Sequence, residues 1–335
     1  MSTFYLITLY LTNYFTTKLD FKGELLFYNL LYMATLHNNL FISIRNNHEV
    51  IFNQKNNIIQ QLCFYRHMNF KIKYGFDVDS YIQELSTKEP ITINEACFLF
   101  VSDFDGNFHH FMIELLPIFH FFKSIRRRVN KNTKLVIRES ATFPYQFLKL
   151  LGIEDKHILK LDSEELYLFE KIFLINPRLK KKALTYLGEA CSLLYKHPIE
   201  HKPDKIILIR KNNKRVCVNY DLFKQIGDEY GFFPYSPEDD TLDNQVSLMH
   251  NCSILLCELG AGCCNFMFMQ PKKKVIIMDF FPEWCDLYVK YNNMFKHHEL
   301  TRIPCHKIKG TQHNCSWRAS IQILKDNLEL LKDSI

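Results

Sequence analysis

The chain has 335 residues, 47% of them hydrophobic and 23% charged, with a formal net charge of +6. That length exceeds the about 250–300 residues at which a single core stops growing, so two domains are expected. The apolar content excludes a chain dominated by disorder, and the basic runs Arg126–Arg128, Lys180–Lys182 and Lys272–Lys274 are scattered over separate elements, as solvated surface rather than a nucleic-acid-binding face.

In chain order, the apolar stretch from Phe4 to Phe15 is broken by Thr and Asn and has no basic lead-in. It is shorter than the ~20 residues a membrane span needs, so no span and a soluble, cytoplasmic protein are expected. The rest of the first ninety residues alternates Asn-rich and aromatic-rich stretches without a readable order. After them the pattern clears. Strands are predicted at 96–102, 134–138, 157–161 and 171–175, and helices at 107–124, 144–151 and 183–196. Pro198 and Pro203 interrupt the rhythm and mark a hinge at 198–204.

A second α/β series follows, with a strand at 205–210, helices at 220–230 and 241–251, and a strand at 253–257 that runs into Gly260-Ala261-Gly262, a short helix and a further strand. Strands alternating with helices imply parallel sheet. The expected organisation is an N-terminal α/β domain at 1–197, a C-terminal α/β domain at 205–316, and an amphipathic helix at 317–335 with room to cross back. Ile321, Leu324, Leu328, Leu331 and Ile335 lie on one face of that helix.

The eleven cysteines include no Cys-x-x-Cys pair, and Cys263 and Cys264 are adjacent. Reduced thiols, with neither a zinc site nor a disulfide framework, are the expectation. His297-His298 reads as exposed, and no metal is assigned.

Three clusters carry chemistry. In the first, Asn107 caps a helix on which His110 and Glu114 stand four residues apart on one face, a spacing that lets a carboxylate orient an imidazole as a proton acceptor or simply ties helix to sheet. In the second, Arg210 and Arg215 follow a strand and can offer forked donors to phosphate oxygens. The third is the Gly260-Ala261-Gly262 turn, where a helix N-terminus would aim N–H groups at an anion. Two Asp-x-Asp patterns, Asp77/Asp79 and Asp103/Asp105, are short enough to arise by chance, though such patterns bind divalent metals in one class of sugar transferases.

Taken in order, Asn107-Phe-His-His-Phe-Met-Ile-Glu-Leu-Leu-Pro117, Phe147–Ile153, the Ile209–Arg215 loop with Asn219, and Gln245–Met249 followed by Gly260-Ala261-Gly262, Asn265, Phe268 and Pro271 resemble the motifs of family 61 glycosyltransferases. The resemblance runs from about Cys97 to Pro282. It implies a GT-B-like α/β fold, two Rossmann-type domains facing across a cleft. It also implies inverting transfer of a sugar such as xylose, arabinose or N-acetylglucosamine from a UDP donor to a glycan or protein hydroxyl, with no cofactor and commonly no required metal. On that reading Glu114 is the first choice of base and His110 the second. Arg210, Arg215, Gly260, Ala261, Gly262 and Asn265 bind the donor diphosphate, and Asn107 and His109 are acceptor-side or structural. Leu259 stands where the family usually has His, Asn244 where it has an acid, and His109 where it has Gly. These departures leave open a binding protein that kept the fold without catalysis.

Overall fold

The computed structural model describes residues 34–45, 48–52, 78–101, 106–175, 186–194, 203–210, 214–311 and 314–332. These fall into two compact units, one within Met1–Asp103, Ile118–Glu139 and Asp155–Lys182, the other within Phe104–Pro117, Ser140–Glu154 and Ala183–Ile335. The chain thus passes between the units several times. Of the expected hinge, residues 198–202 lie outside the described residues, as do the N-terminal stretch 1–33, the basic run Lys180–Lys182, and Asp77, Asp103 and Asp105.

The first unit is built on a six-stranded sheet of β1 (Ala34–Arg45), β2 (His48–Phe52), β3 (Ile91–Leu99), β4 (Lys134–Arg138), β5 (Ile158–Leu161) and β6 (Leu166–Ile175), in the order β2-β1-β6-β3-β4-β5. β1 pairs antiparallel with β2 and β6, while β3, β4, β5 and β6 run parallel. Leu40 and Ile42 of β1 pack with Ile93, Val136, Phe169 and Ile172 in one apolar cluster. Helix Phe119–Arg128 buries Phe119, Phe121, Phe122 and Ile125. Phe122 meets the ring of Phe98 at 5.9 Å, and Phe119 meets Phe100 at 6.4 Å. Arg126, in the last turn, donates to the Lys131 carbonyl and lies over Phe122, so one member of the expected surface run is tied down locally.

The second unit holds β7 (Lys205–Leu208), β8 (Arg215–Cys217), β9 (Phe233–Tyr235), β10 (Ile254–Glu258), β11 (Lys274–Asp279), β12 (Glu299–Pro304), β13 (His306–Gly310) and β14 (Cys315–Arg318). Five of them form an all-parallel sheet, β12-β11-β10-β7-β9, and the others a small sheet, β13-β14-β8. Every residue of β10 is buried, as a parallel strand covered on both faces requires. The fold is therefore α/β with parallel sheet in both units. The C-terminal helix, Ile321–Lys332, buries Leu324 and Leu328. It is tied to helix Tyr220–Glu229 and its end by Lys325–Glu229 at 3.1 Å and a hydrogen bond from Tyr230 to Glu329.

Two expectations need correction. The single helix at 107–124 is a helical turn (Phe108–His110), a π-helical turn (Phe111–Leu115), a 3-10 turn (Leu116–Ile118) and then helix Phe119–Arg128. Pro117 explains the break, because it has no N–H to give to the preceding turn and its ring crowds the carbonyl four residues back. Widening the turn lets the Leu116 N–H reach the Phe111 carbonyl instead. Second, His298 is buried, although His297 is exposed. His298 accepts from the Lys273 N–H at Nδ1 and donates from Nε2 to the Phe266 carbonyl at 3.0 Å. Burial holds it neutral, with its pKa lowered to about 4. It is a core connector between β12 and the turn after β10.

Among the described residues all ten cysteines are free, no helix is long and apolar enough to cross a membrane, and no group of three or more His, Cys, Asp or Glu is placed to hold a metal ion.

Candidate functional site

Neighbouring parallel strands β7 and β10 release their following loops on the same edge of the sheet, where ligands of open α/β sheets bind. After β7 comes Arg210, and Arg215 opens β8; residues 211–213 between them are outside the described residues. After β10 come Leu259 and Gly260. The Arg210 Nη2 and Arg215 Nη1 both donate to the Leu259 carbonyl, at 3.4 Å and 3.3 Å. Those bonds are long, and each is to a neutral oxygen. Among the described residues neither guanidinium has a carboxylate within 4 Å, and the buried Nε of Arg215 has no hydrogen-bond partner. Burial, then the charge of Arg210, lowers the pKa of Arg215.

Gly260 is required by its backbone conformation, and the arginines crowd the same place. Its φ of 152° lies in a region that L side chains rarely adopt. A Cβ there would stand 2.2 Å from Arg210 Nη2 and 2.8 Å from Arg215 Nη1. Gly262 is different, since a Cβ at that position would meet only Leu208 Cδ1, at an ordinary 3.8 Å. The expected helix is a 3-10 helix, Ala261–Phe268, opened by the Cys263 N–H bonding to the Gly260 carbonyl.

A cavity of about 350 Å³ lies over this turn. Arg210, Arg215, Glu258, Ala261 and Gly262 line one side of it, with Asn107, Phe108, Phe143, Glu238 and Gln245 among the other lining residues. Asn265 also lines it, but its carboxamide accepts from Gln245 and donates to the Gly262 carbonyl at 2.9 Å, so it braces the turn. Glu258 is the residue that sequence reasoning missed. It ends β10, is 7% exposed, and burial raises its pKa to about 7 against the opposing pull of Arg210 and Arg215. The nearby Glu238 charge adds to the rise. Nothing in a strand ending Leu-Leu-Cys-Glu indicates that its carboxylate will be covered.

A second cavity, of about 260 Å³, shares Asn107, Arg215 and Ala261 with the first and adds His109, His110, Trp284, Leu287 and Tyr288. Asn107 caps its helix by accepting from the His109 N–H at 3.0 Å. His110 Nδ1 is 3.0 Å from Glu114 Oε1. The π-helical turn holds Glu114, while His110 is the member of the pair that lines the cavity. His109 is a different case. Tyr288 donates its hydroxyl to the Gly260 carbonyl at 2.7 Å, which leaves its oxygen to accept from His109 Nδ1 at 3.2 Å. Burial lowers the His109 pKa to about 4, so the ring is neutral and ties its helix to the glycine turn.

Leu259 is fully buried, and its contribution is the carbonyl that both arginines share. Asn244 donates its side-chain amide to Asp240 at 2.9 Å, beside the Thr241 cap of helix Leu242–Asn251.

With this geometry established, the sequence profile described as Glycosyltransferase 61 matches residues 108–276, about half of the chain. The chain belongs to glycosyltransferase family 61. No curated protein matches it. The matched region begins at Phe108, beside Asn107, and extends into β11, so it takes in His110, Glu114, both arginines and the Gly260–Gly262 turn. Family 61 membership implies a sugar donor and an acceptor as the partners of this site. Trp284 and Tyr288 lie beyond the matched residues and only the fold brings them to the cavity wall.

Proposed function

We propose that the protein is an inverting glycosyltransferase that takes a UDP-sugar, on a GT-B-like frame whose nucleotide-sugar half is the second unit. The observation that carries this reading is the pair of guanidiniums on the first cavity, which among the described residues have no carboxylate within 4 Å and lie beside a glycine turn. A diphosphate placed there would receive forked donors from Arg210 and Arg215 and backbone N–H groups from the start of the 3-10 helix. Both gain strength as negative charge develops on the leaving group, the condition for lowering the barrier rather than merely binding substrate.

The step is a single displacement. The acceptor oxygen forms the new bond to the anomeric carbon as the bond from that carbon to the β-phosphate oxygen breaks, and its electron pair leaves with UDP. The acceptor proton goes to His110, which Glu114 holds through Nδ1. We therefore place His110 as the base and Glu114 as its positioning residue, the reverse of the order suggested by sequence. Because the guanidiniums meet the diphosphate charge, the reaction is proposed to need no divalent cation and to persist in EDTA. Family membership favours this transferase over a non-catalytic binding protein.

The test is donor hydrolysis and transfer by purified protein over a panel of UDP-sugars. The expected result is UDP release with at least one of them. Neither binding nor turnover of any nucleotide sugar would overturn the proposal.

A further inference from the structure

We infer that the second cavity is the acceptor subsite and that it is built for a sugar ring, which makes the acceptor a glycan rather than a protein hydroxyl. The inference rests on the transferase reading and adds the acceptor's chemical class to it.

Three observations carry it. First, the two cavities meet at Asn107, Arg215 and Ala261. A donor whose diphosphate lies on Arg210 and Arg215 therefore brings its anomeric carbon to that junction, and an attacking hydroxyl must come from the side away from the leaving group, which is the second cavity. Second, His110 lines the second cavity and is not among the residues lining the first. The proton acceptor is on the side from which the acceptor enters.

Third, the lining is amphipathic in the way a pyranose is. Helix Pro282–Phe295 presents Trp284, Leu287 and Tyr288 at i, i+3 and i+4, on one face. Leu287 is 37% exposed and Trp284 is partly exposed, with the Arg215 guanidinium 5.3 Å from the indole ring centre. The C–H faces of a sugar ring pack on an indole and a leucine, while its hydroxyl rim meets Asn107, His110 and Arg215. At about 260 Å³ the cavity falls below the ~300–1,000 Å³ of pockets that take drug-sized ligands, which suits one ring and not an extended peptide.

The chain has two tryptophans, and the other, Trp317, is fully buried against Phe280 at 4.7 Å. Intrinsic fluorescence thus supplies a readout independent of catalysis. Oligosaccharides titrated into the wild type should quench or shift emission, and Trp284→Phe should abolish that change while leaving the Trp317 signal. In kinetics, oligosaccharides should accelerate UDP release above donor hydrolysis and Ser/Thr peptides should not. Trp284→Ala and Leu287→Glu should each raise the acceptor KM about tenfold or more, about 1.4 kcal/mol, with donor hydrolysis unchanged in Leu287→Glu, which does not touch Arg215; Trp284→Phe should restore most of the affinity.

Faster transfer to peptides than to glycans would overturn the inference, as would an unchanged acceptor KM in Leu287→Glu. Loss of donor hydrolysis in step with transfer in both variants would also overturn it, by placing the donor's own sugar in this cavity. A wild type that neither binds nor hydrolyses any UDP-sugar would instead bring down the transferase reading, and this subsite with it.

Discussion

Arg302 and the pair Arg210/Arg215 belong to the same unit, and they are treated in opposite ways. Arg302 of β12 donates to Asp279 through Nε at 2.9 Å and Nη2 at 2.6 Å, and to Asp286 through Nη1 at 2.6 Å. Its pKa is raised, chiefly by the Asp279 hydrogen bonds. Among the described residues Arg210 and Arg215 have no carboxylate within 4 Å, and they share one backbone carbonyl. One arginine is thus neutralised by two aspartates while two others are not, the difference on which the proposed diphosphate site rests. The buried carboxylate nearby, Glu258, is pushed towards its neutral form by desolvation, which weakens it as a counter-ion to the two arginines that pull the other way.

The contrast breaks most readily by mutation. Arg210→Ala should lower transfer by about 10²–10³-fold, the loss seen when one donor to a developing charge is removed, while the urea midpoint stays constant. A large fall in the midpoint would recast Arg210 as a structural residue. Asp279→Asn should do the reverse, costing on the order of 3 kcal/mol in urea unfolding, since Asp279 is buried and Arg302 is left half-answered. Partial exposure of Arg302 keeps the cost towards the lower end.

A third comparison reads Glu258 directly. Its folded pKa of about 7 lies above the ordinary 4.5, so the stability tied to its protonated form is present in full below about pH 4.5 and is lost as pH rises through 7. The full loss is up to roughly 3 kcal/mol. Glu258→Gln should flatten this decline, so unfolding midpoints of wild type and variant should diverge between pH 5 and 8.5, with the variant the more stable at high pH. Parallel curves would show that Glu258 is not held neutral. The smallest effect is expected from Gly262→Ala, within about 1 kcal/mol of wild-type stability. Gly260→Ala, which drives a Cβ into both guanidiniums, should lose donor binding measured by calorimetry. Equal tolerance at the two glycines would refute the account of the turn.

Much of the second unit was legible in the sequence because its signals are local. The apolar runs of β10 and β11, Thr241 ahead of its helix, and the spacing of Leu324 and Leu328 each depend on near neighbours along the chain. The break before Phe119 was missed although Pro117 is visible, because the long helical apolar pattern outweighed one proline. His298 was misjudged because its burial depends on Lys273 and Phe266, 25 and 32 residues away.

What the sequence determined by itself is the alternation of strands and helices, the place of a glycine turn after a strand, and the supply of arginines, imidazoles and carboxylates near it. Residue type and short-range periodicity suffice for that. Only the tertiary structure decided which groups meet. It set Arg210 and Arg215 against Gly260, buried Glu258 beneath the cavity, put His110 in a cavity wall with Glu114 as its partner, and brought Trp284 and Tyr288 to the same wall. Burial and charge compensation are properties of neighbours in space, and neighbours 49, 44 or 179 residues apart in the chain leave no periodic trace in it.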